Sequence, residues 1–310
     1  MDWGALETGL EPMRGGYSGE SFAARVGAEE VVVRIFAGRA SRRDAQGRFL
    51  ARPAEVEAAV LGLLLGLFPV PRVLELRRPD PAADLPAMLV TERLPGIDGQ
   101  SYYDGADAEQ RARLGDRLGG ILAELAGIPM LRAGWFADAE LTIVDFAEAA
   151  ADLKGWAEYH LGESRPGLLA RLYGLITSAQ DRLDGAGRSC LAHGDFNLKN
   201  LLVDPVSGEL TGIVDWEFVH AGHPATDLGN LLRGCTLPPD EPFATAVLDR
   251  YRARYGGSRE EVRATAADAD LFALIELAGR APREPGNRPA QAAEAHLLRR
   301  LDQIGDGGIS

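Results

Sequence analysis

Residues 191–204 read Leu-Ala-His-Gly-Asp-Phe-Asn-Leu-Lys-Asn-Leu-Leu-Val-Asp, and residues 212–218 read Gly-Ile-Val-Asp-Trp-Glu-Phe. These two stretches decide the fold. Each sets polar groups between apolar runs. Asp195 and Asn200 stand five residues apart across a loop, and Asp215 closes a short apolar strand. Asp204, Pro205, Ser207 and Gly208 carry turn chemistry between the two runs. The expectation is a tight pair of strands that brings Asn200 beside Asp215. His193, Asn197 and Asn200 crowd the loop around Asp195, and a buried polar cluster of that density needs a reason.

That donor set suits one chemistry well. Phosphoryl transfer needs the nucleotide phosphates positioned, their charge offset, and the attacking hydroxyl oriented. Mg²⁺ is a hard cation that takes oxygen ligands, usually one or two carboxylates with phosphates and waters. Asp215 and the amide oxygen of Asn200 meet that need. Asp195 is then available to orient a hydroxyl and take its proton.

His193-Gly-Asp195-x4-Asn200, with Asp215 after an apolar strand, resembles the Brenner-type motif of the aminoglycoside phosphotransferase and choline kinase superfamily. The Asp195-to-Asn200 spacing equals that of the kinase catalytic loop. Asp215 stands where the metal-binding aspartate opens the DFG triplet, and the triplet here reads Asp-Trp-Glu. His223-Pro-Ala-Thr-Asp227-Leu-Gly looks like the segment that follows in the family, whose aspartate buttresses the catalytic loop. The resemblance implies a bilobal, protein-kinase-like α+β fold, with a small N-lobe of antiparallel sheet and one helix and a larger, mainly helical C-lobe. It implies catalysis by Asp195, metal binding by Asn200 and Asp215, and structural support from His193 and Asp227. The co-substrate is ATP or GTP, used with Mg²⁺.

Working outward, the first ninety-odd residues carry the rest of such a site. Gly15, Gly16 and Gly19 form a turn before a predicted hairpin of residues 21–26 and 30–36. Ser18 and Gly19 would cover the β-phosphate. Arg34, set in Val31-Val-Val-Arg-Ile35, takes the position of the family's strand lysine and would bind phosphate with a planar fork instead. A helix is predicted over 53–67 from its spacing of Val56, Val60, Leu61 and Leu64. It would supply the partner carboxylate, Glu57, with Glu55 as runner-up. Strands are predicted over 73–76 and 88–94. Thr91-Glu-Arg-Leu-Pro-Gly96 resembles the interdomain hinge, where the backbone of Glu92 and Leu94 would meet the purine edge. The lobes divide as 1–94, nucleotide-binding, and 95–310, carrying catalytic loop, metal site and acceptor pocket. Helices are predicted over 107–127, 141–160, 165–184, 226–234, 242–255, 259–280 and 288–304. The resemblance runs from about residue 14 to residue 235, and its specific motifs occupy 191–230.

The formal net charge is −13. An acidic surface repels nucleic acid and anionic membranes and favours cationic ligands. Lys+Arg total 33, yet only Lys154 and Lys199 are lysines. Cys190 and Cys235 are too few for a metal cluster or a disulfide framework. No secretory signal is legible at the N-terminus, and the apolar run from Val60 to Val70 is too short to span a bilayer. The expected location is the cytoplasm, as monomer or dimer. The acceptor is a small, cationic, hydroxyl-bearing molecule, most simply an antibiotic inactivated by O-phosphorylation. A metabolic kinase acting on choline, homoserine, a sugar or an amine adduct stays open, as does a nucleotide-binding pseudokinase. Acidic candidates for the acceptor pocket are Glu217, foremost, and Asp98, Asp104, Glu241, Asp268, Asp270 and Glu276. Tyr102, Tyr103, Trp156, Tyr159 and Trp216 are candidate pocket walls.

Overall fold

The computed structural model describes residues 11–13, 20–36, 53–80, 82–147, 150–233 and 241–306. It begins with an antiparallel sheet of β1 (Glu11–Pro12), β2 (Glu20–Val26) and β3 (Glu29–Phe36). Helix α1 (Pro53–Leu64) follows, then β4 (Val73–Arg77) and β5 (Ala87–Glu92). The strand order is β1-β2-β3-β5-β4. Strand alternation sets the two faces of β3. Val31 and Val33 point to a small cluster with Ala24 and Val90. Arg34 therefore points to the other face, toward α1. Pro53 starts that helix at a position that needs no intrahelical N–H bond.

The rest of the chain is mainly helical. After the hinge come β6 (Ile97–Asp98), α2 (Gly99–Gly105), α3 (Ala108–Leu125), β7 (Pro129–Met130), β8 (Gly134–Phe136) and β9 (Ile143–Val144). Next are α4 (Leu153–Leu161), α5 (Pro166–Asp184), β10 (Ser189–Ala192), β11 (Leu201–Val203), β12 (Leu210–Ile213) and β13 (His220–Gly222). The chain closes with α6 (Thr226–Leu232), α7 (Pro242–Tyr255), α8 (Arg259–Ala269), α9 (Leu271–Arg280) and α10 (Arg288–Asp306). Two small sheets, ordered β7-β10-β13-β8-β9 and β12-β11-β6, hold the 191–218 segment. This is the expected α+β layout. Among the described residues, no helix is long and apolar enough to cross a membrane.

Two helix expectations are corrected. Residues 141–160 do not form one helix: Ile143 and Val144 pair antiparallel with Phe136 and Trp135, and α4 starts after the Asp152 cap. β-branched residues with a strand partner at hand override the helical spacing around them. Residues 259–280 split at Asp270, which closes α8 and opens α9 while its carboxylate is held by Arg233 and Asn230.

One buried cluster joins the two parts. It runs from Val56, Val60, Leu61 and Leu64 on α1 through Leu114, Leu118 and Leu122 on α3 to Phe196, Leu201, Ile213 and Trp216 around the polar motif. Each fully buried leucine in it contributes about 1.5–3 kcal/mol. Helices α3 and α7 pack with little space between backbones: a Cβ on Gly115 would lie 2.4 Å from the Phe243 carbonyl oxygen, and one on Gly119 2.5 Å from that of Val247. A second cluster, including Leu153, Leu172, Ile176, Leu274, Ile275 and Leu297, binds α4, α5, α9 and α10 together. The 191–218 segment is thus fixed from below by apolar packing that continues into α1.

Candidate active site

Strand β10 delivers His193, Gly194 and Asp195 to the end of its sheet. His193 is fully buried. Its Nε2–H donates to the Val214 carbonyl at 3.0 Å, which leaves Nδ1 to accept the Asp195 amide at 3.3 Å. One imidazole therefore ties the start of the loop to the residue before Asp215. Asp227, on the first turn of α6, accepts the amides of His193 at 2.7 Å and Gly194 at 2.9 Å. Burial raises the Asp227 pKa, while His193 and the two amides pull it back. Asp227 thus ties the first turn of α6 to the start of the 193–200 loop.

Asn197 opens a single 3-10 turn, Leu198–Asn200, by accepting the Lys199 amide, and also donates to the Asp195 carbonyl at 3.2 Å. Asn200 Nδ2 donates to the Asp195 carbonyl and to its Oδ2, both at 2.9 Å. Asp195 and Asn200 are thus one hydrogen-bonded unit. β11 then pairs with β12, Leu201 facing Ile213. The turn between them forms around Asp204, whose Oδ1 accepts the Val206 and Ser207 amides. The Val214 amide reaches the Asn200 carbonyl at 2.9 Å, so Asp215 emerges beside Asn200. Asp215 has φ +66° and ψ +60°, a left-handed conformation that a non-glycine residue adopts only when its surroundings hold it there.

From the other side, β3 and α1 present Arg34 and Glu57, which are 9% and 5% exposed. Arg34 Nη1 lies 3.2 Å from both Glu57 carboxylate oxygens and 2.7 Å from Asp215 Oδ1. Its Nη2 donates to Glu217 Oε2 at 2.6 Å. Burial alone would lower the Arg34 pKa, but Glu57, Asp215 and Glu217 hold it above the ordinary arginine value. Burial raises the Glu57 pKa against the pull of Arg34. Glu55, the runner-up on α1, bonds Arg78 Nε at 2.9 Å instead.

The residues fit a divalent cation and a phosphate chain. Among the described residues, the carboxylates of Glu57, Asp215 and Glu217 gather around the Arg34 guanidinium. Asp215 Oδ1 is buried and makes no aligned hydrogen bond, and the same holds for the Arg34 Nε donor. The Arg34 Nε–H left without a hydrogen bond suits a phosphate oxygen, and the Asp215 carboxylate, held at Oδ1 by Arg34 Nη1, is a hard oxygen donor of the kind a dication takes. Asn200 spends its amide N–H₂ on Asp195, and its amide oxygen is a hard donor of the kind that a divalent cation takes.

At the hinge, the Glu92 amide donates to the Arg72 carbonyl at 3.0 Å, so a purine contact by Glu92 would run through its carbonyl. Leu94 lies over β12, its Cδ1 2.8 Å from where a Gly212 Cβ would sit. Ser18 and Gly19 lie outside the described residues. Glu217, expected at the acceptor, faces Arg34. The other acidic candidates have partners within the chain. Asp98 caps α2, and Asp104 accepts Gln100 Nε2. Glu241 caps α7 and accepts the Tyr103 hydroxyl. Asp268 is held by Arg182 and Arg300, Asp270 by Arg233, and Glu276 pairs with Arg280. Trp216 and Tyr102 are buried, Tyr103 stacks edge-on against Phe243, and Trp156 bonds the Phe272 carbonyl. Tyr159 is exposed.

The sequence reading missed two features. One is the role of Asn197, which the sequence placed in the crowded loop without assigning it the 3-10 cap that it forms there. The Glu217–Arg34 pair was hinted at only by an arginine, with two ends to satisfy, standing where a lysine was expected.

Gly194 supplies a prediction. It has φ +85°, and a Cβ there would lie 2.3 Å from the Phe218 carbonyl oxygen. Gly194→Ala should destabilise the chain by about 1–3 kcal/mol and displace Asp195. Thermal melting and turnover both register this; a variant matching the parent in both would show that the loop is not held this tightly.

Residues 9–265 match the family model of the phosphotransferase enzyme family. The chain belongs to that family. Among relatives, the aminoglycoside 3'-phosphotransferase of Streptomyces fradiae is 28% identical over 195 residues, covering 62% of this chain and 68% of the relative. Among solved structures, the GDP complex of aminoglycoside 2'-phosphotransferase-IIIa has a TM-score of 0.67 at 16% identity, covering 96% of this chain and 93% of that one. A thermostable aminoglycoside phosphotransferase mutant in ternary complex with ADP and hygromycin B has a TM-score of 0.59 at 16% identity, covering 97% and 96%. These two likenesses show a shared fold.

Proposed function

We propose that this member of the phosphotransferase enzyme family moves the γ-phosphoryl group of ATP or GTP to a hydroxyl of a small cationic molecule, and that the acceptor is an antibiotic. The observation that carries the reaction type is the Asp195–Asn200 unit, locked by two 2.9 Å hydrogen bonds and set beside Asp215. Asp195 orients the acceptor hydroxyl and takes its proton as the new P–O bond forms. Asn200 and Asp215 would hold Mg²⁺, which when bound offsets phosphate charge. Arg34, fixed by Glu57, faces the phosphates, and the backbone at Glu92 and Leu94 meets the purine. In this reading residues 1–94 bind the nucleotide and 95–310 carry the chemistry and the acceptor, in the cytoplasm.

The antibiotic reading rests on the acidic surface and on relatives that are aminoglycoside phosphotransferases. A metabolic kinase is the second reading. It is favoured by one observation: Asp98, Asp104, Glu241, Asp268, Asp270 and Glu276 are all engaged inside the chain, so none stands ready for a polycation. The test is nucleotide consumption with Mg²⁺ against hydroxylated cationic antibiotics and, in parallel, choline, homoserine, sugars and amine adducts. Acceptor-dependent consumption with an antibiotic alone supports the first reading. Consumption with a metabolite alone overturns it in favour of the second. Nucleotide binding without turnover on any compound would point to a pseudokinase.

A further inference from the structure

Arg34 differs from a lysine in having two terminal nitrogens with fixed directions. Both are used, and on opposite sides. Nη1 faces Glu57 of α1 and Asp215, while Nη2 donates to Glu217 at 2.6 Å. Glu217 is itself well fixed. It sits in the 3-10 turn Trp216–Phe218, and the buried Trp216 anchors that turn by donating Nε1 to the Ile213 carbonyl at 3.0 Å. The Glu217 side chain is 15% exposed, so its charge is poorly screened and its pairing with Arg34 is strong for a side-chain contact. The ring of Phe36, two residues along the same face of β3, lies under the guanidinium at 5.3 Å. The guanidinium is therefore held at both ends and from below.

We propose that Glu217 is a positioning residue for the phosphoryl donor: by holding Nη2 of Arg34 it aims the guanidinium at the nucleotide phosphates, so Arg34 and Glu217 act as one unit. This inference rests on the phosphotransferase reading of the site. It assigns Glu217 to the nucleotide side of the cleft and not to the acceptor. It also explains why arginine serves at position 34. A single ammonium has no second nitrogen, so it could not face Glu57 and Asp215 on one side and Glu217 on the other as this guanidinium does. Conversely, without Glu217 the fork is held at Nη1 alone, by Glu57 and Asp215, and can turn about that end.

The test is a double-mutant cycle on the full chain. The variants are Glu217→Gln, Arg34→Lys and the pair combined. The readout is the apparent affinity for ATP and for GTP, each with Mg²⁺, taken from the dependence of melting temperature on nucleotide concentration. Each single change should weaken the better nucleotide by about 10-fold. The double variant should be no weaker than the poorer single variant. A contact that only supports the fold would lower the melting temperature without nucleotide and leave the nucleotide dependence alone. If Glu217→Gln folds poorly, Glu217→Asp replaces it; the shorter side chain keeps the charge and loses the reach, and the same loss of affinity is expected. Additive losses, or a glutamate variant within twofold of the parent, overturn the inference while the phosphotransferase reading stands. A parent chain whose melting does not respond to either nucleotide overturns both.

Discussion

Asp195→Asn lowers turnover by roughly 10²–10⁴-fold, the range of a lost general base, while nucleotide affinity stays within about threefold of the parent. The replacement is nearly isosteric. Its amide oxygen can still accept Asn200 Nδ2, which lies 2.9 Å from Asp195 Oδ2. The carbonyl that anchors Asn197 and Asn200 belongs to the backbone and is untouched. The His193–Val214 tie and the Asp227 buttress likewise do not involve the Asp195 side chain. The loop should therefore keep its shape, and what disappears is the proton acceptor. Steady-state kinetics with the acceptor found by the compound panel separate the two parameters. Equal losses in turnover and in nucleotide affinity would show that Asp195 acts through binding and not as a base.

The second large effect is at Asp215. Asp215→Asn should weaken Mg²⁺-dependent nucleotide binding by roughly two orders of magnitude, the scale of several kcal/mol of charge stabilisation. Asparagine is the right replacement because Asp215 sits at φ +66°, where asparagine is tolerated far better than alanine. Arg34 keeps Glu57 and Glu217 as partners in the variant, so the cleft should not collapse. The measurement is nucleotide-dependent melting with and without Mg²⁺. In the parent the ion should deepen the nucleotide shift, and in the variant it should add little. A variant that responds to Mg²⁺ as the parent does would remove Asp215 from the metal site.

The polar motif was legible because its geometry is local. Asn200 and Asp215 come together through one short hairpin, and the turn residues Asp204, Ser207 and Gly208 announce it. β3 was legible because its run of apolar residues is broken by a single arginine. Contacts between distant segments were not legible. Arg34 and Glu217 are 183 residues apart in sequence, and nothing in either neighbourhood names the other. Asp268 looked like a pocket acid because its partners, Arg182 and Arg300, come from helices far away in the chain. Helix periodicity over 141–160 was overruled by Ile143 and Val144 pairing with a strand the sequence did not announce. The acceptor pocket is hard to read for the same reason: side chains from several separate helices would have to converge on it.

If this site moves a phosphoryl group from a nucleotide to an acceptor hydroxyl, the transferred group can be followed by label. The most direct measurement follows γ-labelled nucleotide incubated with the chain, Mg²⁺ and the acceptor that drives consumption. The label should appear as a phosphate ester on one hydroxyl of that acceptor, and the Asp195→Asn variant should produce almost none. Label found only in inorganic phosphate would mean that the site hydrolyses nucleotide without transferring it, and an ester formed equally well by that variant would mean that Asp195 is not the base.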